Sequence, residues 1–527
     1  MRKLGFIRLF GIALGVLTLG DSASGVVIAP TDPNIQYMGR WNFSNPSLPA
    51  IGWQGGAITV NFSGTGIKVT LDADDTANHS EVFRVVIDDD YSTTYTFSAG
   101  PTPTQYTLAS GLADGVHKMV LMKETYWWYN SVLHDLEVTG SGLVAPPALP
   151  VLKFECFGDS NAAGDNIATE DNSSGTGQYF TFPFIAARAF NAQMHNLSTS
   201  GETISGSHGR FDRYGWWPGD PAWDFGLYTP DVVIVNLGAN DVDLLTQEQM
   251  IADHNDYLDD LRVKYPDAHI TLMNGEGWHF NEPANYIASL VASRSDPDMS
   301  AIVFPWVFGQ WHGTENEQAG MARYLVEHLE GVLGVTAPNP IDVMDGFGID
   351  GDVANGGFEE VSPFGGYAWR YFLDVGVDRI NNSAGAKEGD HYLSLSSRAE
   401  SFQTNLARSG DTLTVTAWMR GSSNGDEAEM IIDFRDQSMG GYDIAPVIAQ
   451  TETKVLTTSW AEYSMTATAP TTGNPIFGTR TTFGSGPGDT IYVDDVQTSF
   501  VPEPSEFLML TAGIAFLTTV GRRRIRR

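Results

Sequence analysis

Four apolar runs between residues 151 and 334, "VLKFECFG", "DVVIVNLG", "HITLMNG" and "SAIVFPW", alternate with stretches of helical character such as "TQEQMIADHNDYLDDLRVKYP" and "ENEQAGMARYLVEHLEGVLG". No other feature of the chain constrains the fold as much. Apolar strands separated by helices argue for a three-layer α/β/α domain built on a parallel sheet. On either side the pattern changes. Residues 34–145 hold short alternating segments, among them "AITVNFSG", "GIKVTLDA" and "EVFRVVIDDD", broken by Gly, Asp and Asn. Period-two alternation at this spacing predicts a β-sandwich of the jelly-roll kind. "VAPPALP" at 144–150 then forms a stiff linker. After "APNP", residues 350–500 turn β-rich again with "HYLSLSS", "DTLTVTAWMRG" and "DTIYVDDVQ", and they predict a second β-sandwich. The chain is therefore read as multidomain.

The two ends read as targeting segments and are set apart from the fold. Residues 1–24 place Arg2, Lys3 and Arg8 before an apolar run and small residues, the layout of a secretory signal peptide. Residues 501–527 place Pro-Glu-Pro before an apolar run from Phe507 to Val520 and then five arginines. That run is short for a membrane span, for which about 20 residues is typical, and the arginines suit a cytoplasmic stop. The ends hold eight of the 30 basic and three of the 64 acidic residues, so residues 25–501 carry 22 against 61, a formal charge of −39. So acidic a surface argues against nucleic acid or an anionic membrane as partner. The single cysteine, Cys156, excludes an intramolecular disulfide, and its place two positions after Phe154 makes it a small core residue.

Open parallel sheets place their sites at the carboxyl ends of strands, and "KFECFGDSNAAGDN" puts Ser160 just past the first of them. Serine is a weak nucleophile unless a base takes its proton and donors meet the oxyanion. Gly201 in "STSGETI" offers a backbone N–H, and Asn240 in "IVNLGANDVD" offers a side-chain amide. His312 in "FGQWHGTENEQAGMA" offers an imidazole just before a helix. His279 in "GWHF" is the rival base, whereas His208 and His254 read as surface residues. Asp159 and Asp241 read as anchors of their turns.

Gly158-Asp159-Ser160, Gly201, Gly238-Ala239-Asn240-Asp241 and a late histidine resemble, in this order, the four sequence blocks of SGNH/GDSL hydrolases. The resemblance implies Ser160 as nucleophile, His312 as general base, and an oxyanion hole formed by the Ser160 N–H, Gly201 and Asn240. "YMGRWN", "FSGTGIKVTL", "LADGVHKMVLMKET", "KYPDAHITLM" and "WHGTENEQAGMA" further resemble carbohydrate esterase family 2, acetyl xylan esterase-like enzymes that deacetylate plant polysaccharides. Several positions depart from the pattern. Asn161 follows the nucleophile, Ala162 and Ala239 replace usual threonines, and Trp311-His312-Gly313 stands where the family has Trp-His-Pro. Gly309 occupies the position of the usual aspartate, and no Asp or Glu occurs from 299 to 311. An orienting carboxylate normally holds the imidazole tautomer. Some family members use a Ser-His dyad with a backbone carbonyl instead. The same is expected here, with His312 Nδ1–H donating to a main-chain oxygen within 308–310, and Glu276 as a distal substitute.

Trp278 and Trp311 are the candidate glycan contacts, and "RYGWWPGDPAWDF" (213–225) either walls the cleft or caps the domain. The C-terminal sandwich resembles carbohydrate-binding modules of the galactose-binding-like type. Glu359 in "NGGFEE" and Asp494 in "YVDDV" are its candidate ligands for a structural calcium, with an unliganded spacer as the alternative. The tail resembles a PEP-CTERM sorting signal of Gram-negative bacteria. That implies exosortase-type sorting machinery as a partner, transient anchoring through the C-terminal segment, and a place at the cell surface or in the extracellular matrix. Together these features imply a secreted serine esterase that removes O-acetyl groups from an acetylated, xylan- or mannan-like polysaccharide and needs no cofactor for catalysis. Two alternatives stay open: a general hydrolase of small acyl esters, lipase-like, and a catalytically silent glycan-binding matrix protein, for which Gly309 speaks.

Overall fold

A computed structural model gives the fold of the chain. It describes residues 25–73, 81–90, 94–125, 130–165, 167, 177–242, 244–273, 286–302, 312–313, 315–339, 353, 355–359, 369–371, 376–435, 448–471 and 476–501. The N-terminal strands pair antiparallel into one continuous nine-stranded sheet among the described residues. This differs from a jelly roll of two separate sheets. Ala57–Ala73 pairs with both Thr104–Lys123 and Ser131–Val144 along almost its whole length. A register shift between Gly64 and Gly66 changes which parity faces inward. Ile58, Val60 and Phe62 before it and Ile67, Val69 and Leu71 after it therefore reach the same core. Glycine is required at the crossing, because a Cβ on Gly64 would lie 2.2 Å from Thr139 O and one on Gly140 2.2 Å from Ser63 O.

The middle domain is the expected parallel sheet. Its strands run in the order Gln193–Asn196, Lys153–Gly158, Val232–Asn236, His269–Met273, Met299–Ile302, every neighbouring pair parallel. Its helices are α1 (Phe182–Ala189), α2 (Ile204–His208), α3 (Gln247–Lys264), α4 (Tyr286–Arg294) and α5 (Glu315–Leu333). Because side chains alternate along a strand, the sheet feeds two cores. Phe154, Cys156, Val232 and Ile234 pack with α1 and α5, while Phe157, Val233, Val235, Ile270 and Leu272 pack with α2, α3 and α4. Helices thus cover both faces, and Cys156 is a core residue as expected.

The C-terminal region forms two antiparallel five-stranded sheets among the described residues. Leu393, Val415, Met419 and Ile491 from one sheet share a core with Met430, Ile432, Phe434 and Phe483 from the other. No helix among the described residues is long and apolar enough to cross a membrane. Residues 1–24 and 502–527, where the two targeting segments are expected, lie outside the described residues.

The first two domains are joined by buried charge. Arg40 of the N-terminal sheet donates from Nη2 to Glu155 Oε1 at 3.0 Å, and from Nη1 to the carbonyl of Arg213 at 3.0 Å. Glu124, ion-paired with Arg84, accepts the Tyr179 N–H at 3.0 Å. The 213–225 loop belongs to this junction. Trp223 lies 4.9 Å from the Arg40 guanidinium, and Trp216 packs edge-on against Trp53 at 6.3 Å. The loop therefore seals two domains together, a role its sequence alone does not disclose.

Candidate active site

Ser160 follows the strand Lys153–Gly158, which has parallel neighbours on both sides. The Asp159 N–H still bonds to Asn236 O at 3.2 Å, so the pairing extends one residue beyond the strand. The chain then turns sharply: Ala163 N–H donates to Asp159 O at 2.9 Å and Asp165 N–H to Ser160 O at 2.9 Å. Small residues are needed in this turn, since a Cβ on Gly158 would sit 2.5 Å from the Ala162 methyl. Asp159 holds the turn as expected by accepting the Asn161 N–H at 3.0 Å.

The three expected oxyanion donors stand on loops that follow adjacent strands of the sheet, Lys153–Gly158, Gln193–Asn196 and Val232–Asn236. The Ser160 and Gly201 N–H groups donate to no protein acceptor among the described residues. Gly201 has φ +74 with open space around its missing Cβ, so backbone conformation and not crowding calls for glycine there. Asn240 follows the strand Val232–Asn236, and its Nδ2 donates to Glu202 O at 2.9 Å. That bond ties the Asn240 loop to the residue after Gly201 and engages one of the two amide hydrogens. Asp241 adds a second tie by accepting the Ile204 N–H at 3.1 Å.

His312 is brought to the same turn. The next residue, Gly313, donates its N–H to Asn161 Oδ1 at 3.0 Å, and Gln318 of α5 donates to Asn161 O at 3.1 Å. Asn161, in the sequence only a departure from the resembled pattern, is the bracket that docks the histidine segment on the Ser160 turn. The His312 Nε2 lies 3.9 Å from Asp165 Oδ2. No hydrogen bond from Ser160 Oγ to the ring is found among the described residues, and such bonds often tighten only when substrate closes a site. The expected carbonyl acceptor within 308–310, together with Gly309, Glu276, His279, Trp278 and Trp311, lies outside the described residues.

Burial shapes the electrostatics around these loops. It pushes Asp159 up to about 7, Glu202 up to about 7 and Asp241 up to about 6. Their mutual repulsion adds to the effect on Asp159 and Glu202. His208 pairs with Asp260 at 2.8 Å at the surface, but His254 is buried on the inner face of α3 beside Met250 and Tyr257. Burial depresses it to about 4, which removes it from the surface set.

In the C-terminal region the candidate calcium ligands Glu359 and Asp494 both accept backbone N–H groups. Glu359 Oε1 accepts the Asp390 and His391 N–H groups at 2.6 and 2.8 Å, and its Oε2 pairs with His391 Nδ1 at 2.8 Å. Asp494 accepts the Lys387, Glu388 and Asp495 N–H groups. The two carboxylates brace one loop through its N–H groups. Calcium takes about 6–8 oxygen ligands, and no group of three or more His, Cys, Asp or Glu able to hold a metal occurs among the described residues.

Residues 37–147 match the family model described as Carbohydrate esterase 2 N-terminal, and residues 156–334 match the GDSL-like Lipase/Acylhydrolase family. The chain is 30% identical over 332 residues to the Cellulase/esterase CelE of Acetivibrio thermocellus, covering 58% of this chain and 40% of that protein. It thus spans about two-fifths of that relative's length. It is 24% identical over 330 residues to the Acetylxylan esterase / glucomannan deacetylase of Cellvibrio japonicus, covering 58% of this chain and 91% of that one. A solved family two carbohydrate esterase from Clostridium thermocellum in complex with cellohexaose superposes with a TM-score of 0.52 at 28% identity, over 57% of this chain and 99% of that one. The family two esterase from Cellvibrio japonicus gives 0.53 at 21% identity, over 59% and 98%, and shares the fold. Residues 37–147 and 156–334 are therefore similar to the paired domains of family two carbohydrate esterases, a β-rich domain followed by a GDSL-like hydrolase domain, and these likenesses support a carboxylic ester hydrolase.

Proposed function

We propose that the chain is a carboxylic ester hydrolase that removes O-acetyl groups from a polysaccharide. Ser160 Oγ attacks the acetyl carbonyl while His312 takes its proton. The oxyanion is met by the Ser160 N–H, the Gly201 N–H and the second amide hydrogen of Asn240. The tetrahedral intermediate collapses, and His312 protonates the departing sugar oxygen. Water, activated by the same histidine, then releases acetate and restores Ser160. This chemistry asks only for side chains and backbone N–H groups. The observation that carries the reading is the gathering of these groups past adjacent strands of one sheet: the Ser160 and Gly201 N–H groups, which have no protein acceptor among the described residues, and a histidine segment tied to the serine's own turn by Asn161.

A glycan ester is favoured as substrate because the similar proteins include an acetylxylan esterase / glucomannan deacetylase and a structure that holds cellohexaose. The charged N-terminal leader and the Pro-Glu-Pro, apolar, arginine-rich tail support export and surface sorting with transient anchoring. Acetate release from acetylated xylan, acetylated glucomannan and 4-nitrophenyl acetate tests the reading. Ser160→Ala is expected to lower kcat by about 10⁴-fold or more. Unchanged acetate release by that variant would remove Ser160 as nucleophile. Turnover of 4-nitrophenyl acetate without either glycan would replace the deacetylase by a small-ester hydrolase.

A further inference from the structure

Gly309 leaves the segment before His312 without a carboxylate, yet a carboxylate reaches the ring from elsewhere. Asp165 Oδ2 lies 3.9 Å from His312 Nε2, with the two side chains only 16% and 12% exposed. That separation is too long for a direct hydrogen bond and within reach of an ion pair. Asp165 is held in place from three directions. Gly164 turns the chain at φ +72, where a Cβ would lie 2.8 Å from both Gly177 O and Thr181 Cγ2. The Asp165 N–H donates to Ser160 O at 2.9 Å. Ser200 Oγ, on the residue before Gly201, donates to Asp165 Oδ2 at 2.8 Å. One carboxylate oxygen thus faces both the imidazole and a hydroxyl beside an oxyanion donor.

We infer that Asp165 is a positioning residue for His312, its negative charge stabilising the imidazolium that forms when Ser160 gives up its proton. The charge arrives from the nucleophile's own turn instead of from the segment before the histidine. The inference rests on the proposed roles of Ser160 and His312. In the cycle the Ser160 proton passes to His312 Nε2 and from there to the leaving oxygen, and Asp165 takes no proton itself. An opposite charge about 4 Å away favours the charged form of a titrating group. The other acids of the site are engaged elsewhere: Asp159 with the Asn161 N–H, Glu202 with Arg210 and the Thr203 N–H, Asp241 with the Ile204 N–H. Among the described residues Asp165 is the one acid within ion-pair distance of His312.

The test is a titration of His312 by NMR in the full chain with labelled histidine, its signal assigned by loss in His312→Asn. Asp165→Asn keeps the acceptor for Ser200 Oγ, so the turn is retained. That variant is expected to lower the His312 pKa by about one unit, and Asp165→Glu by less. On 4-nitrophenyl acetate, kcat of Asp165→Asn is expected to fall by roughly tenfold or more with KM little changed. An unchanged His312 pKa in Asp165→Asn overturns the inference. So does a raised KM for acetylated xylan with kcat and the His312 pKa unchanged, which would make Asp165 a sugar contact. If the unsubstituted chain hydrolyses no ester, the parent reading fails, while the titration still decides whether Asp165 acts on His312.

Discussion

Asn161 does at one position what two loops require. Its side-chain oxygen accepts the N–H of Gly313 and its carbonyl accepts from Gln318, so the histidine segment and the start of α5 both close on the Ser160 turn. Replacing it by alanine leaves the buried Gly313 N–H without that acceptor, which costs about 1–3 kcal/mol. We expect Asn161→Ala to lose that much in chemical denaturation. Its kcat on 4-nitrophenyl acetate should also fall by roughly tenfold, because the segment that carries His312 is no longer tied to the Ser160 turn through Asn161. Unchanged kcat would mean that the segment is held by other contacts. Nothing local in the sequence marks this role, since the partner lies 152 residues downstream. Ser160 and Asn240 stand out in the sequence because each follows an apolar run, and both lie just past strands of the parallel sheet, where sheet topology gathers sites, whereas Gly201 follows the short strand Gln193–Asn196, which carries no such run. His254 was misread although α3 carries the clue: it falls with Met250, Tyr257, Leu258 and Leu261 at helical spacing on the inner face.

At the scale of elements, the site is three loops laced by carboxylates. Asp159 fixes the nucleophile turn, Glu202 lies behind Gly201 and offers its carbonyl to Asn240, and Asp241 pins the start of α2. Burial raises all three acids above their ordinary range, to about 7, 7 and 6. A carboxylate whose folded pKa is raised binds its proton more tightly in the native state. Its contribution to stability is complete below the ordinary carboxylate range near 4 and is lost as pH rises to about 7. Unfolding free energy should therefore contain a component that declines between these limits. Asp159→Asn, which can still accept the Asn161 N–H, should flatten that decline by about 2 kcal/mol or more. Urea titrations at several pH values check this, and parallel curves for the two proteins would count against it. The four long apolar runs announced their strands. Gln193–Asn196 and α1 did not stand out: the strand has four residues, and α1 is buried at seven of its eight positions and shows no polar face to set a period.

Across the whole molecule, buried charge ties the first two domains together. The Arg40–Glu155 pair is 1% and 0% exposed, and its members come from the N-terminal sheet and the first strand of the hydrolase sheet, 115 residues apart. Such a link has no local signature, which is why "VAPPALP" reads as a boundary between separable domains and the structure joins them. Burial alone would raise Glu155; Arg40 and then His195 hold it below the usual carboxylate range. A depressed carboxylate contributes stability above the unfolded value near 4, and that contribution is lost as pH falls through the folded pKa. Removing Arg40 leaves Glu155 buried with its largest stabilising partner gone. Truncating one member of a buried pair costs about 3–5 kcal/mol. Arg40→Ala should therefore unfold at lower urea, and acid should no longer destabilise it through Glu155 as it does the unsubstituted chain. Because Glu155 lies on the strand that leads into Ser160, five residues before it, we also expect the variant to lose esterase activity in parallel with the fluorescence of Trp53, Trp216 and Trp223 at the junction. Fluorescence and activity that depart at different urea concentrations would show that the N-terminal sheet can detach while the catalytic sheet stays intact, and the two domains would then be separable after all.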